Sequence, residues 1–236
     1  MTRVCAWSGP RNLSTALMRS FEARGDCEVV DEPLYAAYLA ATGVDHPGRA
    51  EILASQPTDP AEVLRRLAVD GDRPVRFEKH MAHHWRPGWP ADALGEARHL
   101  VLIRDPARVV ASYAKVRESP EPAELGLLQQ RSLVDRWTAE GRRVVIVDGD
   151  DLAAAPARVL PRLCDALGLP YTEAMTSWPP GRRATDGVWA PHWYGRVERS
   201  TGFAPSSEAS PVPPALGWVV DTLDPAYRSL ARDRVT

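Results

Sequence analysis

Short, mainly apolar runs alternate along this chain with stretches of helical period, and that alternation limits the fold more than any other feature. Arg3–Trp7, Cys27–Val30, Val75–Glu78, His99–Ile103 and Val144–Val147 each have the length and apolar content of a strand. Between and after them, Leu13–Arg24, Leu34–Ala41, Ala61–Val69, Pro106–Val116, Leu125–Thr138 and Ala157–Leu167 carry apolar residues at helical spacing. Strands that alternate with helices across short turns predict an α/β domain: one mainly five-stranded parallel sheet, right-handed crossovers, and helices on both faces. No linker or internal repeat divides the 236 residues, so a single domain over 1–236 is expected. The stretch from Thr42 to Pro60 reads as loop, residues 177–214 as an irregular Trp/Pro-rich segment, and Pro225–Arg234 as a last helix.

In such sheets ligands gather at the carboxyl ends of the strands. The first exit is Ser8-Gly9-Pro10-Arg11-Asn12-Leu13-Ser14-Thr15, the second Asp31-Glu32, the third Lys79-His80 and the fourth Arg104-Asp105. Four consecutive polar exits point to a site. A helix starting near Leu13 offers free N–H groups and a positive dipole end to an anion, with Arg11, Ser14 and Thr15 beside it. The same residues also fit a plain helix start, with Asn12 as N-cap and Arg11 in solvent. The loop lacks the second glycine and the lysine of the usual nucleoside-triphosphatase motif.

Charge narrows the ligand. The formal net charge is −2, which gives no basis for a nucleic-acid surface. Only Lys79 and Lys115 are lysines among 29 basic residues, so arginine dominates, and its planar fork suits phosphate and sulfate. Cys5, Cys27 and Cys164 are odd in number and scattered through apolar segments, as expected of core thiols in a reducing compartment. There is no apolar run of about 18 residues, so no membrane span is expected, and the cytoplasm is the expected location.

The loop and the fourth exit together resemble the sulfotransferase family, whose donor is 3′-phosphoadenosine 5′-phosphosulfate (PAPS). Pro10, Arg11, Ser14 and Thr15 are similar to the family's loop for the 5′-phosphosulfate. Arg104-Asp105-Pro106, with Ser112 eight residues after the arginine, resembles its 3′-phosphate motif. Val145–Tyr171 looks like a further family segment, so the likeness covers roughly positions 3–171. It implies a three-layer α/β/α, P-loop-like fold and transfer of a sulfuryl group to a hydroxyl or amine of a small soluble acceptor. Donor contacts would come from Pro10, Arg11, Asn12, Leu13, Ser14, Thr15, Arg104 and Ser112. Asn12-Leu13 replaces the family's Ser-Gly, and its C-terminal glycine-rich closing segment has no clean counterpart. Gly181-Arg182-Arg183 and Asp186–Trp189 are nearest, and Arg196 is a further donor candidate.

The transfer needs a base, and the resemblance offers two. His80, in Glu78-Lys79-His80, resembles the histidine base of the eukaryotic-type enzymes and is favoured by its ordinary pKa of ~6.5. Glu32, in Asp31-Glu32-Pro33, resembles the glutamate base of bacterial trehalose-type enzymes. Lys79 and Arg11 are expected to act on the bridging phosphosulfate. His80, His83 and His84 do not have the spacing of a helical zinc motif, and no metal is expected. Trp178, Trp189 and Trp193, with Trp85 and Trp89, suggest an aromatic wall, and Tyr194, Arg196 and Arg199 a clamp for an acidic acceptor. A homodimer is compatible with the sequence. Two alternatives stand beside this reading: a P-loop-like small-molecule kinase using ATP, and a non-catalytic nucleotide- or partner-binding module.

Overall fold

The structure, a computed structural model, describes residues 1–204 and 210–236, so residues 205–209 of the irregular C-terminal segment lie outside the described residues. Strands β1 (Thr2–Ser8), β2 (Cys27–Asp31), β3 (Val75–Met81), β4 (Arg98–Ile103), β5 (Val144–Asp148) and β6 (Arg234–Val235) form one sheet in the order β2-β3-β1-β4-β5-β6. Every neighbouring pair is parallel. The five expected strands are all present, and the two-residue β6 is a sixth that the sequence does not predict. The helices are α1 (Ser14–Glu22), α2 (Tyr35–Thr42), α3 (Arg49–Ser55), α4 (Pro60–Leu67), α5 (Pro106–Tyr113), α6 (Leu127–Ala139), α7 (Gly149–Ala154), α8 (Pro156–Ala166), α9 (Ala190–Trp193) and α10 (Gly217–Ala231).

Successive strand side chains point to opposite faces of the sheet, and this period of two builds the layers. One face carries Cys5, Trp7, Val101, Ile103 and Ile146 against Val110 of α5, Trp137 of α6 and Leu223 of α10. The other carries Val4, Ala6, Phe77, Leu100 and Val145 against Leu17 and Phe21 of α1 and Leu160 and Leu163 of α8. The result is the three-layer arrangement that the alternation predicts. The three cysteines are buried and free. Among the described residues no helix is long and apolar enough to cross a membrane.

Three departures bear on the site. The expected loop from Thr42 to Pro60 contains α3, whose seven residues are hidden in the sequence by Gly48 before it and Pro60 after it. Strand β3 runs on to Met81 and is buried throughout, so Lys79 and His80 lie within the strand and not beyond its end. The final helix starts at Gly217 and contains Pro225, which a sequence rule puts at a first turn, and it ends at Ala231 before β6.

Candidate active site

The loop after β1 is shaped by two residues in the left-handed region, Arg11 at φ 65° and Leu13 at φ 67°. Such φ values suit glycine and cost a branched side chain about 1–2 kcal/mol, so the surroundings must hold them. Asn12 supplies one tether: its side chain is buried and its Nδ2 donates to the Leu102 carbonyl of β4 at 3.0 Å. Gly9 supplies space, since a Cβ there would lie 2.1 Å from the Leu125 carbonyl oxygen. The N-cap of α1 is therefore Leu13 and not Asn12, and no side chain caps the helix. Its first N–H groups are left for a ligand. The Leu13 that replaces the family's glycine thus takes up a glycine-like backbone.

The two sequence motifs meet in space. Arg11 Nε donates to Ser112 Oγ at 2.9 Å, and Arg104 donates from one terminal nitrogen to the Arg11 carbonyl at 2.9 Å. Arg104 also bonds Asp150 on α7 at 3.0 Å. Burial, and then the charges of Arg196 and Arg104, hold Arg11 below the usual guanidinium range. Like charges crowded at an uncapped helix start make a field that favours an anion. Pro10, Arg11, Leu13, Ser14, Thr15, Arg104, Ser112 and Arg196 all line one cavity of about 220 Å³ over the strand ends. Asn12 does not: it serves the loop through β4.

The second half of the cavity is built on β2 and β3. Lys79, fully buried, donates to Asp31 Oδ1 at 2.9 Å, to Glu32 Oε1 at 2.5 Å and to Tyr194 Oη at 2.8 Å. Although burial opposes its charge, the Asp31 and Glu32 carboxylates raise the Lys79 pKa well above its ordinary value. Glu32 is raised by burial and by Asp31, against the pull of Lys79. Its backbone sits at φ 41°, with its N–H on the Lys79 carbonyl at 2.8 Å and its own carbonyl accepting from Gln56 Nε2 at 3.1 Å. Strain of this kind persists only where several bonds impose it.

His80 is not in the cavity. Alternation along β3 turns Lys79 and Met81 to the cavity side, and His80 to the opposite face. There it is 1% exposed, stacks on Trp7 at 4.4 Å between ring centroids, and its Nε2 lies 3.2 Å from Glu78 Oε2. The register pairs Trp7 with His80, which fixes that stacking. Cys5 Sγ donates to the same carboxylate, and Arg3 Nε reaches it at 2.8 Å. His80 is thus placed as a core side chain, while Glu32 lines the cavity.

The C-terminal segment closes the other wall. Tyr194 Oη bonds both Asp31 oxygens at 2.7–2.8 Å, and the Gly187 N–H bonds Asp31 Oδ2 at 3.1 Å. Asp186 is held by Arg19 of α1 at 2.5 Å. Of the tryptophans expected to form a wall, Trp193 lines the cavity. Trp189 packs on Tyr35 at 5.2 Å, Trp178 on Phe203 at 5.1 Å, and Trp85 on Trp7 at 5.5 Å, all outside the lining. The expected acidic-acceptor clamp is not assembled: Tyr194 is bound by Asp31 and Lys79, and Arg199 does not line the cavity. Sequence reasoning missed Tyr35, His46 and Tyr113 as lining residues, and no local signal marks them.

Fold and site together make this an α/β protein that sets its ligand cleft over the carboxyl ends of parallel strands. A model of the sulfotransferase domain family matches residues 2–225, and the chain belongs to that family. Two Arabidopsis thaliana proteins named branched-chain-amino-acid aminotransferase-like protein 2 and protein 1 are each 40% identical to it, over 205 and 202 residues. The matches take in 86% and 85% of this chain but 36% of each relative, so the chain spans about a third of their length. Among solved structures, the sulfotransferase domain of the Synechococcus PCC 7002 olefin synthase is similar with TM-score 0.46 and 17% identity, over 95% of this chain and 94% of that one. The sulfotransferase domain of the curacin biosynthetic pathway has TM-score 0.49 and 14% identity, over 94% and 97%.

Proposed function

We propose that the protein transfers a sulfuryl group from PAPS to a hydroxyl of a small acceptor, with Glu32 as the base. The observation that carries this reading is the joining of the uncapped α1 start, through Arg11, to Ser112 and Arg104. It supports two anion positions in one cavity, as a 5′-phosphosulfate and a 3′-phosphate require. When bound, PAPS supplies an activated sulfuryl group and a phosphate leaving group.

The chain's own residues then have separate tasks. The N–H groups at the start of α1, with Ser14 and Thr15, hold the anionic oxygens. Arg11 neutralises charge that grows on the leaving phosphate, and Ser112 orients the Arg11 side chain. Arg104 and Ser112 hold the 3′-phosphate, and Arg196 lines the same cavity. Glu32 takes the acceptor's hydroxyl proton as the new S–O bond forms and the old S–O bond to the phosphate breaks. Lys79 orients that carboxylate and, being locked on Asp31 and Tyr194, stays in place during the step. The products are a sulfate ester and adenosine 3′,5′-bisphosphate. An ATP-using kinase would need a loop lysine on the phosphate chain, and Lys79, which lines the cavity, is held by two carboxylates.

The test is release of adenosine 3′,5′-bisphosphate from PAPS in the presence of a panel of alcohols and phenols. The expected result, at PAPS below saturation, is acceptor-dependent release that falls by about tenfold or more in Arg104→Ala, the scale of a lost charge-assisted contact to the 3′-phosphate. Turnover of ATP without turnover of PAPS would overturn the proposal.

A further inference from the structure

The half of the cavity beyond Glu32 has a composition of its own. Tyr35, His46, Met81, His83, His84 and Trp193 line it. His84 is sandwiched between tyrosines, with ring centroids 4.4 Å from Tyr35 and 4.7 Å from Tyr38, both stacked. His83 meets His84 edge-on at 4.5 Å, and Tyr35 Oη bonds His46 Nδ1 at 2.8 Å. The Nδ1 atoms of His83 and His84 are buried without a hydrogen-bond partner among the described residues. This is a wall of flat rings with neutral polar edges.

The charges nearby are already matched. Lys79 is held by Asp31, Glu32 and Tyr194, and Arg117 pairs with Glu124 at 2.7 Å. Arg11 and Arg104 belong to the donor end, through Ser112 and Asp150. Burial, then repulsion from His46, pushes the His83 pKa down to about 3, and burial and His83 push His84 well below its ordinary value. His46 is lowered too, first by burial and then by Arg117. All three shifts favour the uncharged imidazole. A carboxylate carried into this end would lose its water and find Lys79 and Arg117 already held by carboxylates, and an ammonium would find Glu32 already held by Lys79.

We infer that the acceptor is an uncharged molecule with a hydroxyl on a flat aromatic or apolar body, seated between the Tyr35/His84 stack and Trp193 with its hydroxyl at Glu32. The inference rests on the sulfuryl-transfer reading, and it argues against an amino acid as acceptor. Flat rings favour stacked contacts with such a body, and the neutral imidazole edges offer hydrogen bonds without charge.

The test uses the full chain saturated with adenosine 3′,5′-bisphosphate, titrated calorimetrically with 2-naphthol, 6-hydroxy-2-naphthoate and L-tyrosine. The expected result is a Kd for 2-naphthol lower by about tenfold or more than for either charged probe, the discount set by an uncompensated charge. Trp193→Ala is expected to weaken 2-naphthol by about fivefold or more, as loss of an aromatic contact does, and to leave bisphosphate affinity within about twofold. Equal or tighter binding of a charged probe, or no binding of 2-naphthol to the saturated protein, overturns the inference even if Trp193→Ala behaves as stated. Failure of the bisphosphate to bind in the first place is a separate result: it removes the sulfuryl-transfer reading, and the acceptor inference falls with it.

Discussion

Replacing Glu32 by Gln keeps the side chain's volume and removes its ability to accept a proton, so it separates the two candidate bases. If Glu32 is the base, the rate should fall by about 10²–10⁴-fold, which is roughly 3–5 kcal/mol of transition-state stabilisation. The fold should survive, because Lys79 keeps Asp31 at 2.9 Å and Tyr194 at 2.8 Å. With one of two carboxylates neutralised, a cost of about 1–2 kcal/mol, or a Tm lower by roughly 2–8 °C, is expected. His80→Gln should behave in the opposite way. It loses the stack on Trp7 and the contact with Glu78, at about 2–4 kcal/mol, while changing kcat by less than about tenfold. The assay is bisphosphate release under saturating PAPS and 2-naphthol, with Tm measured in parallel. The pH profile adds an independent sign. A base must be unprotonated, and burial raises Glu32, so activity should be lost as pH falls through a value above the ordinary carboxylate range. A near-normal rate in Glu32→Gln, together with a large loss in a well-folded His80→Gln, would refute the reasoning.

Two further predictions concern the frame. Leu13→Gly should relieve left-handed strain of about 1–2 kcal/mol while adding roughly 0.5–1 kcal/mol of unfolded-state entropy, so Tm should hold or rise slightly in a thermal melt, and a fall beyond about 4 °C would count against the strain account. Glu78 resists burial through His80 and Arg3, which bring its pKa down to about 2 from 4.5. A lowered carboxyl favours the folded state above the unfolded pKa, so about 3 kcal/mol should be lost as pH falls from about 4.5 towards 2, and Glu78→Gln should flatten that part of the urea-melt pH profile.

The strands were legible because a parallel sheet buries both faces and so writes itself as continuous apolar runs, as in His99–Ile103. The end of β3 was obscured for the converse reason: Glu78, Lys79 and His80 are polar yet buried, the first two satisfied by Arg3 and Asp31, distant in sequence, and His80 by Glu78 within the strand and by the stack on Trp7. Period two already put Lys79 with Phe77 and His80 with Glu78, but which face meets the cavity depends on the β1–β3 register and on the loops above it. For that reason the sequence favours His80 by residue type where the geometry presents Glu32. The pairing of Arg11 with Ser112 was foreshadowed by motif spacing. His46 and Tyr113 were not, because the turn before α3 and the last turn of α5 bring them to the cavity only through packing. Asp186, which ties the C-terminal wall to Arg19, lies 167 residues from its partner and leaves no local trace.

The central claim is that the loop, Arg104 and Ser112 form a cradle for two separated anionic groups, and calorimetric titration with adenosine 3′,5′-bisphosphate and with ADP tests it most directly. The account predicts that the bisphosphate binds more tightly than ADP by about tenfold or more, since the 3′-phosphate adds a charge-assisted contact, and that Arg104→Ala erases the difference. Equal affinity for the two nucleotides, or a preference for ADP that survives Arg104→Ala, would contradict it.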